Sequence, residues 1–163
     1  MKNKTRRRIR CIGWILFVIY MLLLVYALFL SEAYGRQNIA VGDYRYNLVP
    51  FREIKRYWIH RESLGMFSVL NLAGNIAGFV PFGFILPILG KKRPHGFLVV
   101  CAGCLFSLCV ECTQLILRVG SCDVDDVILN TLGVLTGYIA FRICNKIRRL
   151  LYEKKKEIKI FFC

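Results

Sequence analysis

Four apolar stretches, separated by charged residues, restrict the folds that this chain can adopt. They run from Cys11 to Ser31, Ser63 to Gly90, Gly96 to Leu117 (interrupted by Glu111) and Val127 to Phe141. The first three are long enough to cross a bilayer, which takes about 20 helical residues. With 56% hydrophobic residues and a mean hydropathy of +0.50, the chain is too apolar for a soluble domain of this size. We therefore predict an all-α integral membrane protein, a bundle of four transmembrane helices.

The fourth stretch is too short to span the hydrocarbon core by itself. Its 15 uncharged residues give roughly 22 Å of helix, against a core of about 30 Å. Arg142 follows it and has a long stem that can reach the interface, whereas the aspartates that precede it cannot reach far. The aspartate end is therefore predicted to lie in a wet recess.

The distribution of Lys and Arg predicts that both termini are cytoplasmic. Residues 1–10 carry six of these cations, the loop 91–93 three and the segment from Arg142 onward eight, whereas the other side carries seven. Cytoplasmic loops of membrane proteins are enriched in Lys and Arg. The net charge of +14 is thus a topology signal rather than a sign of a nucleic-acid partner. The basic tail is expected to lie on anionic lipid headgroups.

These assignments divide the chain into regions: a basic N-terminus (1–10), a first span retained as an anchor (11–31), an extracellular segment (32–66), three further spans (67–143) and a basic tail (144–163). The extracellular segment is predicted to contain an interfacial amphipathic helix from Phe51. Its apolar face carries Phe51, Ile54, Tyr57 and Trp58, and its polar face Arg52, Glu53, Lys55 and Arg56. A simple belt of Trp and Tyr at the interface is the alternative.

Cysteine pairs in the third span resemble a zinc motif but are interpreted as apolar residues. Cys101, Cys104, Cys109 and Cys112 have the spacing of paired ligands. A thiolate cage at these positions would lie in hydrocarbon, where it is strongly disfavoured. We predict no cofactor and no zinc, and a free thiol at Cys122 outside the spans.

Polar residues of the last three spans cluster towards the outer side. Because the helices alternate in direction, random scatter would not produce this pattern. It predicts one outward-facing pocket, about 5–10 Å deep, lined by Asn71, Asn75, Glu111, Gln114, Arg118, Asp123, Asp126 and Asn130. Helix capping is the alternative for Asn71 and the aspartates, and Asp125 is interpreted as a cap only. Interhelical hydrogen bonding is the alternative for Asn75 and Asn130.

Two glycine motifs accompany the polar faces. Gly74-x-x-x-Gly78 lies in the second span and Gly133-x-x-x-Gly137 in the fourth. Small residues at this spacing let helix backbones approach closely in membranes. Both motifs are therefore predicted to be helix contacts, and Pro81 is expected to bend or loosen the second span.

The strings NLVPF, NLAGNIAGFVPFGFILP, ECTQ and RVGSCDVDDVILNTLGVLTGY resemble the VanZ-like family of small bacterial membrane proteins. The similarity covers residues 47–141, and its D-x-D-D-x-x-x-N-x-x-G element is fairly specific. It implies a four-helix membrane domain. Founding members are associated with resistance to teicoplanin and related lipoglycopeptides, drugs that act on cell-wall precursors at the outer face. The resemblance implies no catalytic mechanism.

Three functions remain open at this point. The first is a non-enzymatic envelope protein whose pocket binds a membrane lipid, a lipid-linked cell-wall precursor or a lipoglycopeptide. The second is a membrane enzyme acting on a phosphorylated lipid, with a divalent cation held by Asp123, Asp125, Asp126 and Glu111, or with Glu111 as a base. The third is a transporter, which four short spans accommodate only if a homo-oligomer supplies another wall.

Overall fold

The computed structural model describes residues 3–29, 46–90 and 94–161. In these ranges the chain is almost entirely helical, with one pair of very short strands. In chain order the elements are α1 (Asn3–Phe29), β1 (Tyr46–Asn47), α2 (Arg52–Ile59), α3 (Arg61–Leu89), α4 (Gly96–Leu117), β2 (Cys122–Asp123) and α5 (Val124–Phe161).

Four of these helices are long and apolar enough to cross a membrane, as predicted. The candidate spans are Arg7–Phe29, Leu70–Leu89, Gly96–Leu117 and Val124–Lys154. The protein is thus a membrane protein with four candidate transmembrane helices. Two predicted boundaries differ from the structure. The second apolar stretch continues a helix that starts at Arg61, and the fourth span and the basic tail form one helix, α5.

Glycines bring the backbones of α3 and α5 into direct contact. A Cβ atom at Gly133 would lie 2.2 Å from the carbonyl oxygen of Ile76, and one at Gly137 would lie 2.0 Å from that of Val80. Gly83 of α3 meets α5 in the same way. The glycine motif of the fourth span is therefore a close helix contact. At Gly78 an added Cβ would make only an ordinary contact, 3.7 Å from a Leu24 methyl group of α1.

Aromatic and branched side chains fill the space between α1, α3, α4 and α5. Phe82 of α3 and Phe106 of α4 stack with their ring centroids 5.5 Å apart. Phe79, which also belongs to α3, contacts the same Phe106 ring. Val134 of α5 is completely buried at the centre of this core. The helix α3 continues through Pro81 and Pro87. The apolar residues on the outside of α1, among them Leu22 and Leu23, are exposed as a lipid-facing surface requires.

One end of the bundle is closed by the strands and α2. Here β1 pairs in parallel with β2, with Tyr46 opposite Cys122 and Asn47 opposite Asp123. This pairing ties the chain before α2 to the turn between α4 and α5. We call this end of the bundle, where α4 ends and α5 begins, the polar end.

Candidate functional site

Most of the residues expected to line a pocket come together at the polar end. The side chains that meet there come from five elements, β1, α3, α4, β2 and α5. We use the term polar cluster for Asn47, Asn75, Ser107, Glu111, Asp123, Asp126 and Asn130. All of them except Asp126 are buried, and each makes a hydrogen bond to another member. The predicted convergence of Asn75, Glu111, Asp123, Asp126 and Asn130 is thus seen in the structure, as a hydrogen-bonded cluster.

Glu111 holds the turn between α4 and α5. Its side chain is only 3% exposed, and its Oε2 atom accepts a hydrogen bond from the backbone amide of Asp123 at 2.9 Å. The nearby charges that act on it are the carboxylates of Asp126 and Asp123. Glu111 therefore contributes acceptor atoms in a buried position.

Asp123 links the strand pair to the start of α5. Its Oδ1 atom accepts hydrogen bonds from the Asn47 side chain at 3.1 Å and from the Asp125 backbone amide at 2.8 Å. The second bond is that of an N-cap, as predicted. Burial raises the pKa of the Asp123 carboxyl above its ordinary value, although these hydrogen bonds oppose the shift. Asp123 is thus a cap that also belongs to the polar cluster.

Asp126 and Asn75 connect α5 to α3. The Asn75 amide donates a short hydrogen bond to Oδ1 of Asp126. One turn further along α5, the Asn130 amide donates to the Ser107 hydroxyl of α4 at 2.8 Å. The side-chain N–H groups of Asn75 and Asn130 therefore form interhelical hydrogen bonds, which was the alternative to a pocket role.

Asn130 also has an unused acceptor. Its side chain is 2% exposed, and its Oδ1 atom has no hydrogen-bond partner among the residues that the structure describes. A buried polar atom without a partner costs about 1–3 kcal/mol. The interhelical bond to Ser107 therefore uses the donor of the Asn130 amide and leaves its acceptor unused.

Asp125 caps a helix, but its carboxylate caps α2 and not the fourth span to which the sequence assigned it. It is 1% exposed, and its carboxylate accepts hydrogen bonds from the backbone amides of Phe51, Glu53 and Ile54. These amides start α2, and Phe51, the N-cap of α2, has a left-handed backbone with φ of 64°. The interpretation as a cap of the fourth span alone was wrong, because the partner lies more than 70 residues away in the chain.

The predicted amphipathic helix exists as α2 and is fixed by this cap. Ile54 and Tyr57 are half-buried, whereas Arg52, Lys55 and Arg56 are exposed. Phe51 and Trp58, the other two residues of the predicted apolar face, are 54% and 73% exposed. Asn71 points to this helix, since its amide lies 3.4 Å from the Tyr57 hydroxyl.

Gln114 and Arg118 lie beside the polar cluster. The Gln114 side chain is buried and donates to the Leu28 carbonyl oxygen of α1 at 2.9 Å. Arg118 forms the C-cap of α4 with φ of 56°, and its side chain is exposed. Gln114 thus anchors α1, and Arg118 lies at the rim of this end.

The carboxylates of the polar end engage different partners. Within residues 3–29, 46–90 and 94–161, no three His, Cys, Asp or Glu side chains are grouped as metal ligands. Asp125 is directed to α2, Asp126 to Asn75 and Glu111 to a backbone amide. The alternative of a cation site formed by Asp123, Asp125, Asp126 and Glu111 is therefore not assembled among the described residues. The cysteines of α4 are free thiols.

Two members of the polar cluster were not predicted from the sequence. Ser107 lies one turn before Glu111 on the same face of α4, so the spacing of four was the available signal. Asn47 is the first residue of the string NLVPF, which already resembled the family. The position of Asn47 depends on the pairing of β1 with β2. Each of these strands has only two residues, too few to give a recognisable strand pattern in the sequence.

Comparison with known proteins identifies the family to which this arrangement belongs. The VanZ/LLP1 family model matches residues 17–145, which include the second and third candidate spans, most of the first and fourth, and the polar cluster. The chain belongs to the VanZ/LLP1 family. It is 32% identical over 93 residues to Protein VanZ of Enterococcus faecium. The aligned region covers 56% of this chain and 55% of that protein. The chain thus matches about half the length of this VanZ relative. No solved structure matches the chain.

Proposed function

We propose that this VanZ/LLP1 protein is a bacterial cell-envelope protein that binds an amphipathic ligand at the polar cluster. The ligand is a lipid or a lipid-linked cell-wall precursor of the outer leaflet. Binding alters the access of teicoplanin-type drugs to their target, in keeping with the association of founding VanZ members with resistance. The observation that carries the proposal is the Oδ1 atom of the buried Asn130, which has no hydrogen-bond partner within the part of the chain that the structure describes.

The chemistry of the polar cluster indicates which part of a ligand it accepts. The carboxyl groups of Glu111, Asp123 and Asp126 supply oxygen atoms that accept hydrogen bonds, and the Asn130 Oδ1 atom has no partner among the described residues. Such a site favours N–H and O–H groups, as in amines, amides and sugar hydroxyls. The part of the ligand that enters is therefore the donor-bearing part of its headgroup.

Cations at the rim suit the remaining part of such a headgroup. Arg52, Lys55 and Arg56 are exposed on α2, and Arg56 lies near enough to act on Asp123. Arg56 also forms an ion pair with Glu53 at 2.7 Å. A phosphate held by these side chains, with hydroxyl or amine groups below it, matches a phosphorylated lipid headgroup.

The proposal requires the polar end to face outward, with both termini in the cytoplasm. The excess of Lys and Arg on the side of the termini supports this orientation. A green fluorescent protein fused after Cys163 is expected to fluoresce, and alkaline phosphatase at the same position is expected to be inactive. An active phosphatase fusion with a dark fluorescent fusion would contradict the orientation.

Drug susceptibility tests the function itself. The variant with Asn75→Ala and Glu111→Ala, expressed in a susceptible host at wild-type abundance, is expected to lose most of the teicoplanin protection given by the wild type. Thr136→Ala is the matched control, because Thr136 is exposed on α5 and bonds only to its own helix. Unchanged protection by the double variant, together with unchanged lipid binding, would overturn the proposal.

A further inference from the structure

The end of the bundle opposite the polar cluster contains an apolar groove. It has a volume of about 350 Å³ and lies between α1, α3 and α4. Trp14 forms one wall, Leu86 and Leu89 another, and Leu98 and Val99 the third. The lining is mostly apolar, and the volume falls in the range of small-molecule sites, about 300–1,000 Å³. Its chemistry suits a hydrocarbon chain.

Two arginines lie beyond the tryptophan wall of the groove. Arg7 and Arg10 precede Trp14 by seven and four residues on α1, so the three share one helical face. Arg10 is half-buried and Arg7 is exposed. They lie about 6 and 10 Å from Trp14 along the helix axis. This order of apolar groove, tryptophan and arginine follows the order of acyl chain, interface and phosphate in a lipid leaflet.

We propose that this groove binds one anionic phospholipid, with an acyl chain against Leu86, Leu89 and Leu98 and the phosphate on Arg10. Guanidinium groups bind phosphate oxygens through paired hydrogen bonds. A second copy of the chain is a poor occupant, because its own N-terminal segment carries six cations within ten residues and would repel this one. This site is separate from the polar cluster and does not depend on its function.

Native mass spectrometry of the full chain tests the proposal through two variants. The probes are phosphatidylglycerol and phosphatidylcholine with identical acyl chains, added to delipidated protein in detergent. The wild type is expected to bind one phosphatidylglycerol at least about tenfold more tightly than phosphatidylcholine, a difference of about 1.4 kcal/mol. Arg10→Gln is expected to abolish this preference. Leu98→Trp, which fills the groove, is expected to reduce binding of both lipids.

Arg148→Gln is the control, because Arg148 is an exposed cation of α5 that bonds only locally to Asn145. It should retain the preference of the wild type. Equal binding of the two lipids by the wild type would overturn the proposal. So would an equal loss of preference in Arg10→Gln and Arg148→Gln, which would indicate general attraction to a basic protein. Because Arg10 lies at the periphery of the bundle, its variant tests the site even if Leu98→Trp does not fold.

Discussion

The carboxylate of Asp125, at the start of α5, accepts a hydrogen bond from the backbone amide of Glu53 at 2.8 Å. It also accepts hydrogen bonds from the backbone amides of Phe51 and Ile54. One buried side chain thus pairs with three amides at the start of α2. The first amides of a helix have no partner within the helix. The second aspartate of the D-x-D-D element, Asp125, thus fixes the amphipathic helix over the polar end.

Replacing Asp125 with Ala is therefore expected to release α2. The loss of a charged cap should cost about 2–4 kcal/mol, and hydrogen exchange at the amides of Glu53 and Ile54 should rise. Glu153→Ala serves as the control, because Glu153 is exposed near the end of α5. Unchanged protection of these two amides in Asp125→Ala would show that the cap does not hold α2.

The glycines of α5 provide a test of the helix packing. Gly133→Ala places a methyl group 2.2 Å from the Ile76 carbonyl oxygen, whereas Gly78→Ala places one 3.7 Å from a Leu24 side chain. Gly133→Ala should lower the free energy of unfolding by about 1–3 kcal/mol or more, because α3 must move away. Gly78→Ala should have little effect. Unfolding in mixed detergent micelles measures both, and equal stability of the two variants would contradict this packing.

The sequence predicted the four spans, the amphipathic helix and most of the polar cluster, because helical periodicity reports which residues share a face. It did not reveal the partner of Asp125 or the place of Asn47. Both depend on a two-residue strand pair that brings together segments more than 70 residues apart. The sequence also missed the continuity of α5, since charge marks the edge of an apolar stretch and not the end of a helix. The alternative of a metal site at the aspartates and Glu111 has no support among the described residues.

The stability of the polar end should depend on pH through Asp123. Burial raises the pKa of its carboxyl, so the folded state binds this proton more tightly than the unfolded state does. The contribution of Asp123 to the stability of the folded state is therefore most favourable below the ordinary pKa of an aspartate, about 3.9. It decreases as pH rises through the raised pKa of the folded state. Asp123→Asn keeps the Oδ1 acceptor but removes the titration. The difference in stability between variant and wild type should thus shift in favour of the variant as pH rises from about 4. Parallel stability curves would contradict this role of burial.

The lipids that co-purify with the protein test the central claim, that the polar cluster binds a headgroup. Wild type and Asp126→Asn should be compared by mass spectrometry after purification in mild detergent, with Thr136→Ala and Arg10→Gln as controls. Asp126→Asn keeps an acceptor for Asn75 but replaces the carboxyl group with an amide. A lipid with amine, amide or sugar hydroxyl groups should be enriched in the wild type and in both controls, and about tenfold depleted in Asp126→Asn. The same lipid content in Asp126→Asn and in the wild type would contradict it.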